Sequence, residues 1–138
     1  MREYKFRVWD KISKRMVYSD DYGCLSDFFN ANTFDYHTNF KPIDTYVLME
    51  YTGSKDKNGK QIYEGDIVKS WWDEPFISSL EQDYEIGEII HNENMQGYSL
   101  KIEYKNENLT PMMNCFNKFE IIDNKYENPE LLEDDTND

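Results

Sequence analysis

Tyr51-Thr-Gly-Ser-Lys-Asp-Lys-Asn-Gly-Lys-Gln-Ile-Tyr-Glu-Gly-Asp-Ile-Val-Lys69 joins two apolar, strand-like runs, Tyr46–Tyr51 before it and Ile67–Trp72 after it. It holds two turn signals. Asn58-Gly59 is the strongest short-range hairpin signal, because a type I′ turn needs positive φ at both central residues. Gly65-Asp66 is the second, a Gly free to take a backbone conformation closed to other residues beside an Asp able to bond back to nearby N–H groups. Lys55, Asp56, Lys57, Lys60 and Gln61 around the Asn-Gly step are polar, as an exposed turn requires. Ile67-Val68 then opens a strand with β-branched side chains that suit a pleated sheet.

Working outward, Tyr4–Asp10 alternates, with Tyr4, Phe6 and Val8 on one face and Lys5, Arg7 and Trp9 on the other, which predicts a half-buried strand. Lys11–Lys14 is the turn of a hairpin whose return is Arg15–Tyr18. A short helix is expected over Leu25–Ala31, starting near Cys24 or Ser26, while 30–42 has no clean period. Trp71 and Trp72 are adjacent on a strand and must point to opposite faces, so one is expected to be buried and the other at the surface. Tyr84–His91 and Gly97–Tyr104 read as a second hairpin, with Gly87 a candidate bulge. The alternation of Tyr98, Leu100, Ile102 and Tyr104 against Ser99, Lys101 and Glu103 is the cleanest in the chain. Phe119–Ile122 is a last strand. Asn128-Pro129 reads as a helix start, and Glu133–Asp138, with four acids in six residues, as a disordered tail.

These elements make the fold mainly β, a β-rich α+β domain. A small SH3-like barrel or a curved antiparallel sheet built from hairpins is expected, with one or two short helices. The 138 residues suit a single domain, placed at 1–132. No apolar run reaches the roughly 20 residues of a membrane span. Met1–Arg7 lacks the apolar segment of a signal peptide, so a cytoplasmic protein is expected. Cys24 and Cys115 lack metal-ligand neighbours and are read as free, small packing residues.

The formal net charge is −13, and it is uneven. Residues 1–72 carry eleven Lys/Arg and eleven Asp/Glu, whereas 73–138 carry four against seventeen and account for the whole excess. A field of that sign repels phosphate, so direct nucleic-acid binding is disfavoured unless the neutral half offers a local basic patch. An acidic face suits a basic protein surface, and it also serves plain solubility.

Signatures of chemistry are missing: no P-loop, GxGxxG, GxSxG, HExxH or CxxC occurs. His37 and His91 lie in different segments, and each reads as a surface or packing residue. Asp56, Asn58 and Asp66 do not make a calcium loop, since Lys55, Lys57 and Lys60 intrude. Glu64 with Asp66 has the composition of an acid/base pair, but among 28 acids chance pairs are expected.

Three segments carry a resemblance. The opening Arg2-Glu-Tyr-Lys-Phe-Arg-Val-Trp-Asp10 with Lys14-Arg-Met-Val-Tyr18, the central Met49–Val68, and Tyr126-Glu-Asn-Pro-Glu-Leu-Leu132 resemble, in order, the motifs of the YopX family of small phage and prophage proteins of Gram-positive bacteria. The resemblance implies a β-rich fold and a phage accessory role, and it carries over no catalytic residue. It leaves a homo-oligomer open. The expected function is non-enzymatic binding of a host or phage macromolecule, an unidentified protein of the host bacterial cytoplasm or of the phage, through an acidic and aromatic surface. Expected contact residues are Tyr51, Thr52, Asp56, Tyr63, Glu64, Asp66, Trp71 and Trp72, with no catalytic residue, metal or cofactor assigned. One alternative is a small-ligand or nucleotide-sequestering oligomer with the Tyr51–Asp66 loop lining its pocket. The other, less favoured, is a metal-dependent hydrolase using Asp56, Glu64 and Asp66.

Overall fold

A computed structural model describes residues 4–32, 34–35, 41–42, 46–72, 84–94, 96–104 and 107–128. The chain forms two compact units, residues 1–53 and 54–138. The expected helix start at Asn128-Pro129 and the acidic tail extend over positions outside the described residues.

In the first unit, β1 (Phe6–Asp10) turns through residues 11–14 into β2 (Arg15–Tyr18). Asp10 makes that turn by accepting the N–H groups of Ile12 and Ser13 at 3.0 and 3.2 Å, the Asx-turn chemistry that recommends Asp there. Lys14 closes it with φ +56°. β1 is not half-buried as its alternation suggests: Arg7, Val8 and Trp9 are all buried. The reason is position, since β1 lies between β2 and β5 (Tyr46–Lys55), antiparallel to both. A 3-10 turn at Ser19–Asp21 leads to α1 (Leu25–Asn32), the expected helix. Ser19 Oγ accepts the Phe6 N–H at 3.0 Å and fixes the turn to the start of β1. Phe28 is fully buried, and its ring meets those of Phe29 and Tyr22 at 5.3 and 5.6 Å. Two short strands, β3 (Phe34–Asp35) and β4 (Lys41–Pro42), pair with each other. Cys24 is exposed, not a packing residue, and both cysteines are free.

β5 runs past residue 53 into the second unit and turns back as β6 (Gln61–Tyr63). β7 (Asp66–Trp72), β8 (Glu85–Asn92), β9 (Gly97–Tyr104), β10 (Glu107–Leu109) and β11 (Phe116–Asn124) follow. They form one antiparallel sheet in the order β10-β9-β8-β7-β11. The last strand therefore returns across the sheet to pair with β7, and it is longer than the Phe119–Ile122 run that reads as a strand. Its irregularities explain why: the register slips at Phe116/Lys118 and again at Ile121/Asp123, so no single alternation spans it. The core gathers Ile62, Val68, Ile89, Leu100, Ile102, Phe116 and Phe119, with Trp72 and Cys115 packed against it.

Gly87 is not a bulge, because the β7–β8 register runs unbroken through Val68↔Gly87. It is a place of close approach instead. A Cβ there would stand 2.5 Å from Ile102 Cγ2, 2.6 Å from the Lys101 carbonyl oxygen and 2.9 Å from Leu100 Cγ. Ser99, on the polar phase of β9, is fully buried. The segment before β11 lies against it: Ser99 bridges to Met112, and the Leu100 N–H donates to the Pro111 carbonyl at 2.9 Å. Among the described residues, no helix is long and apolar enough to cross a membrane.

Candidate functional site

The signature loop is built on one carboxylate. Asp56 Oδ1 accepts the N–H groups of Asn58 and Lys60, both at 2.9 Å, and Oδ2 accepts the N–H of Ile121 at 3.1 Å. The Asp56 N–H donates to the Lys60 carbonyl at 2.7 Å, and the Lys57 N–H to that of Phe119 at 2.8 Å. The loop is thus fastened to β11, an outermost strand of the sheet, whose free N–H and C=O groups need partners. Burial pushes the Asp56 carboxyl up, but the three N–H donors and the Lys60 charge outweigh it and hold the group below the ordinary aspartate value. The turn is not type I′. Gly59 alone of the Asn-Gly pair has positive φ, at +84°, which fits a three-residue hairpin loop closed by a left-handed Gly.

The second turn works the same way at smaller scale. Gly65 sits at φ +87°, and the Tyr63 N–H donates to Asp66 Oδ2 at 2.8 Å. Gly65 is held from both sides, its N–H by the Ile89 carbonyl at 2.9 Å and its C=O by the Lys125 N–H at 3.0 Å. Beside it, Lys125 pairs with the mostly buried Glu88 at 2.8 Å. Burial alone would lower the Lys125 pKa, but Glu88 reverses that and raises it.

The two tryptophans divide as adjacent strand residues must, although both are half-buried. Trp72 faces the core, its ring 4.4 Å from that of Phe116. Trp71 lies on the other face, where lysines surround it: Lys118 Nζ is 4.5 Å and Lys57 Nζ 5.4 Å from its ring centre. Tyr84 stands 6.0 Å from Trp71, and Lys69 Nζ lies 4.8 Å over the Tyr84 ring. Glu120 pairs with Lys57 at 3.1 Å. The strand register explains the grouping, since Trp71 opposes Lys118 and Lys69 opposes both Glu120 and Ile86.

Of the sequence-predicted contact residues, Tyr51, Asp56, Tyr63 and Asp66 are buried, and Thr52 and Glu64 are half-buried. Trp71 and Trp72 occupy opposite faces, so the eight do not share one surface. Lys57, Lys69, Lys118 and Tyr84 were not among them. The phase of β7 places Lys69 with Trp71, but only the pairing with β11 brings Lys118 to the same ring. Both oxygens of Asp56, and Oδ2 of Asp66, accept backbone N–H groups. Among the described residues, no group of three or more His, Cys, Asp or Glu is placed to hold a metal ion.

The model of the YopX protein family matches residues 5–133. The fold is similar to the crystal structure of protein EF1440 from Enterococcus faecalis, at TM-score 0.54 and 25% identity over 96% of this chain and 99% of that one. It is also similar in fold to protein yopX from Bacillus subtilis, at TM-score 0.51 and 21% identity over 93% and 97% of the two chains. No curated protein matches. With 129 consecutive positions accounted for by one family model, the chain belongs to the YopX family.

Proposed function

We propose that this chain is a phage-encoded accessory protein that acts without catalysis, in the cytoplasm of the host bacterium, by binding a partner protein. The contact is the outer face of the β7–β8–β11 sheet around Trp71. The observation that carries this reading is the cluster of Trp71, Tyr84, Lys57, Lys69 and Lys118 on one face of one sheet. Partly exposed aromatic rings beside positive charges are characteristic of protein contacts, and they suit a segment that carries carboxylates. A base-stacking role is less well supported, because two ammonium groups already lie over the Trp71 ring and the net charge of −13 opposes a polyanion. Non-enzymatic action is supported by the commitment of Asp56 and Asp66 to turn geometry.

The test is a comparison of tagged wild type with Trp71→Ala/Lys118→Glu, each used to capture proteins from infected-host lysate. A protein held by the wild type, released by salt and lost from the variant is the expected result. The same protein retained equally by both would remove this surface. Nothing held by either would remove the protein-binding reading and turn attention to small ligands.

A further inference from the structure

At the end of β7 and the start of β8, three polar side chains meet on the core face without satisfying one another. Ser70 and Glu85 are direct cross-strand partners, and Trp72 lies two residues beyond Ser70 on the same face. Ser70 is fully buried and Glu85 is 6% exposed. Ser70 Oγ, Trp72 Nε1 and Glu85 Oε1 have no hydrogen-bond partner. The Trp72 N–H lies near enough to the Glu85 carboxyl to favour its charged form, yet the geometry between them falls short of a full hydrogen bond.

Among the described residues, what faces Glu85 is uncharged. β7 offers Ser70 and Trp72, and β11 offers Phe119 and Phe116, the register partners of those two. Further along this face, β8 continues with Gly87 and Ile89, and β9 contributes Leu100 and Ile102. Cys115 is the titratable group packed against the same core. The charged residues Lys69, Glu88, Lys101, Lys118 and Glu120 occupy register positions of the opposite face. A carboxylate placed this way has lost water and meets no cation among the described residues, which shifts its equilibrium toward the neutral form. Burial accordingly pushes the Glu85 carboxyl above the ordinary glutamate value.

The strand residues next to this cluster belong to the outer platform. Tyr84 precedes Glu85, and Trp71 lies between Ser70 and Trp72. We propose that Glu85 is a proton-linked switch: protonated, it lets the β7–β8 end close over the core, and ionised, it opens that end and separates the Trp71–Tyr84 pair on the outer face. The step is a simple proton loss from the carboxyl to water. In sign, a raised folded-state value means that the native chain holds the proton more tightly than the unfolded chain. Stability from this site is therefore complete below the ordinary carboxyl range and is lost as pH rises through the raised value.

The experiment is a carbon-13 NMR titration of the Glu85 carboxyl in the intact protein, following cross-peaks between the Trp71 and Tyr84 rings in the same samples. A midpoint above the ordinary glutamate value of 4.5, with the ring cross-peaks fading through that midpoint, is expected. A midpoint at or below it would overturn the switch, and unchanged cross-peaks would overturn the coupling. Thermal unfolding of Glu85→Gln gives an independent reading. Its melting temperature should match wild type near pH 4 and exceed it by about 5 °C at pH 8 for each unit by which the midpoint is raised. A gap that does not change with pH would overturn the proposal. None of these readouts uses a partner, so the switch and the binding surface fail separately.

Discussion

Asp56 and Glu85 are two acids of the same unit with nearly the same exposure, 7% and 6%, and opposite fates. Asp56 collects three backbone N–H donors, which hold its carboxyl below the ordinary aspartate value; Glu85 faces a serine, an indole and phenyl rings, and burial pushes its carboxyl above the ordinary glutamate value. Burial raises both values. What differs is the supply of partners: a hairpin loop turns its N–H groups inward toward one side chain, whereas the sheet consumes the N–H groups of β7 and β8 in its own ladder. Depth alone therefore says little about a buried carboxylate.

The comparison is best broken at Asp56. Asp56→Ala would leave three N–H groups without their acceptor and release the loop from β11, at a cost of about 3 kcal/mol by denaturant unfolding. Loss of under 1 kcal/mol would mean that the loop does not depend on the side chain. Next comes the backbone that aims those donors. Gly59→Val forces a β-branched residue to φ +84°, and Gly65→Val does so at +87°; each should cost about 1–2 kcal/mol, while unchanged melting would reassign the turns. Gly87→Ala is expected to cost a similar amount by overpacking, because one of the atoms in the way is a backbone carbonyl.

Replacing each acid by its amide sharpens the contrast through its sign. Asp56→Asn should lower stability near neutral pH, with the difference from wild type shrinking as pH falls through the lowered aspartate value. Glu85→Gln should do the reverse, its advantage appearing only as pH rises. Parallel pH profiles for the two variants would abolish the distinction. The smallest effect belongs to Lys57→Ala, which removes a pair with Glu120 whose side chains are 39% and 34% exposed. About 0.5 kcal/mol or less is expected, and a larger loss would show that the cation over Trp71 does more than solvate it.

Much of this architecture was legible from residue order because it is local. Asn58-Gly59 and Gly65-Asp66 announced turns, the period of Gly97–Tyr104 announced a strand, and the adjacency of Trp71 and Trp72 announced two faces. β6 was not legible, since three residues between two turns carry no period. The length of β11 was hidden by its two register slips, and the roles of Gly87 and Ser99 depend on what lies across from them. The candidate surface was half-visible: Trp71 could be singled out, but its lysines come from a loop and a strand far apart in sequence.

By itself, the sequence determined the mainly β character, the turn positions, the family and the acidity of the second half, because local backbone preference and composition depend on neighbours along the chain. Only the tertiary structure decided which acid has its pKa lowered and which has it raised, and which tryptophan meets lysines and which meets the core. Those outcomes depend on distances between residues such as Asp56 and Ile121, 65 positions apart. Electrostatic and hydrogen-bond energies follow separation in space, and strand pairing across the sheet sets that separation.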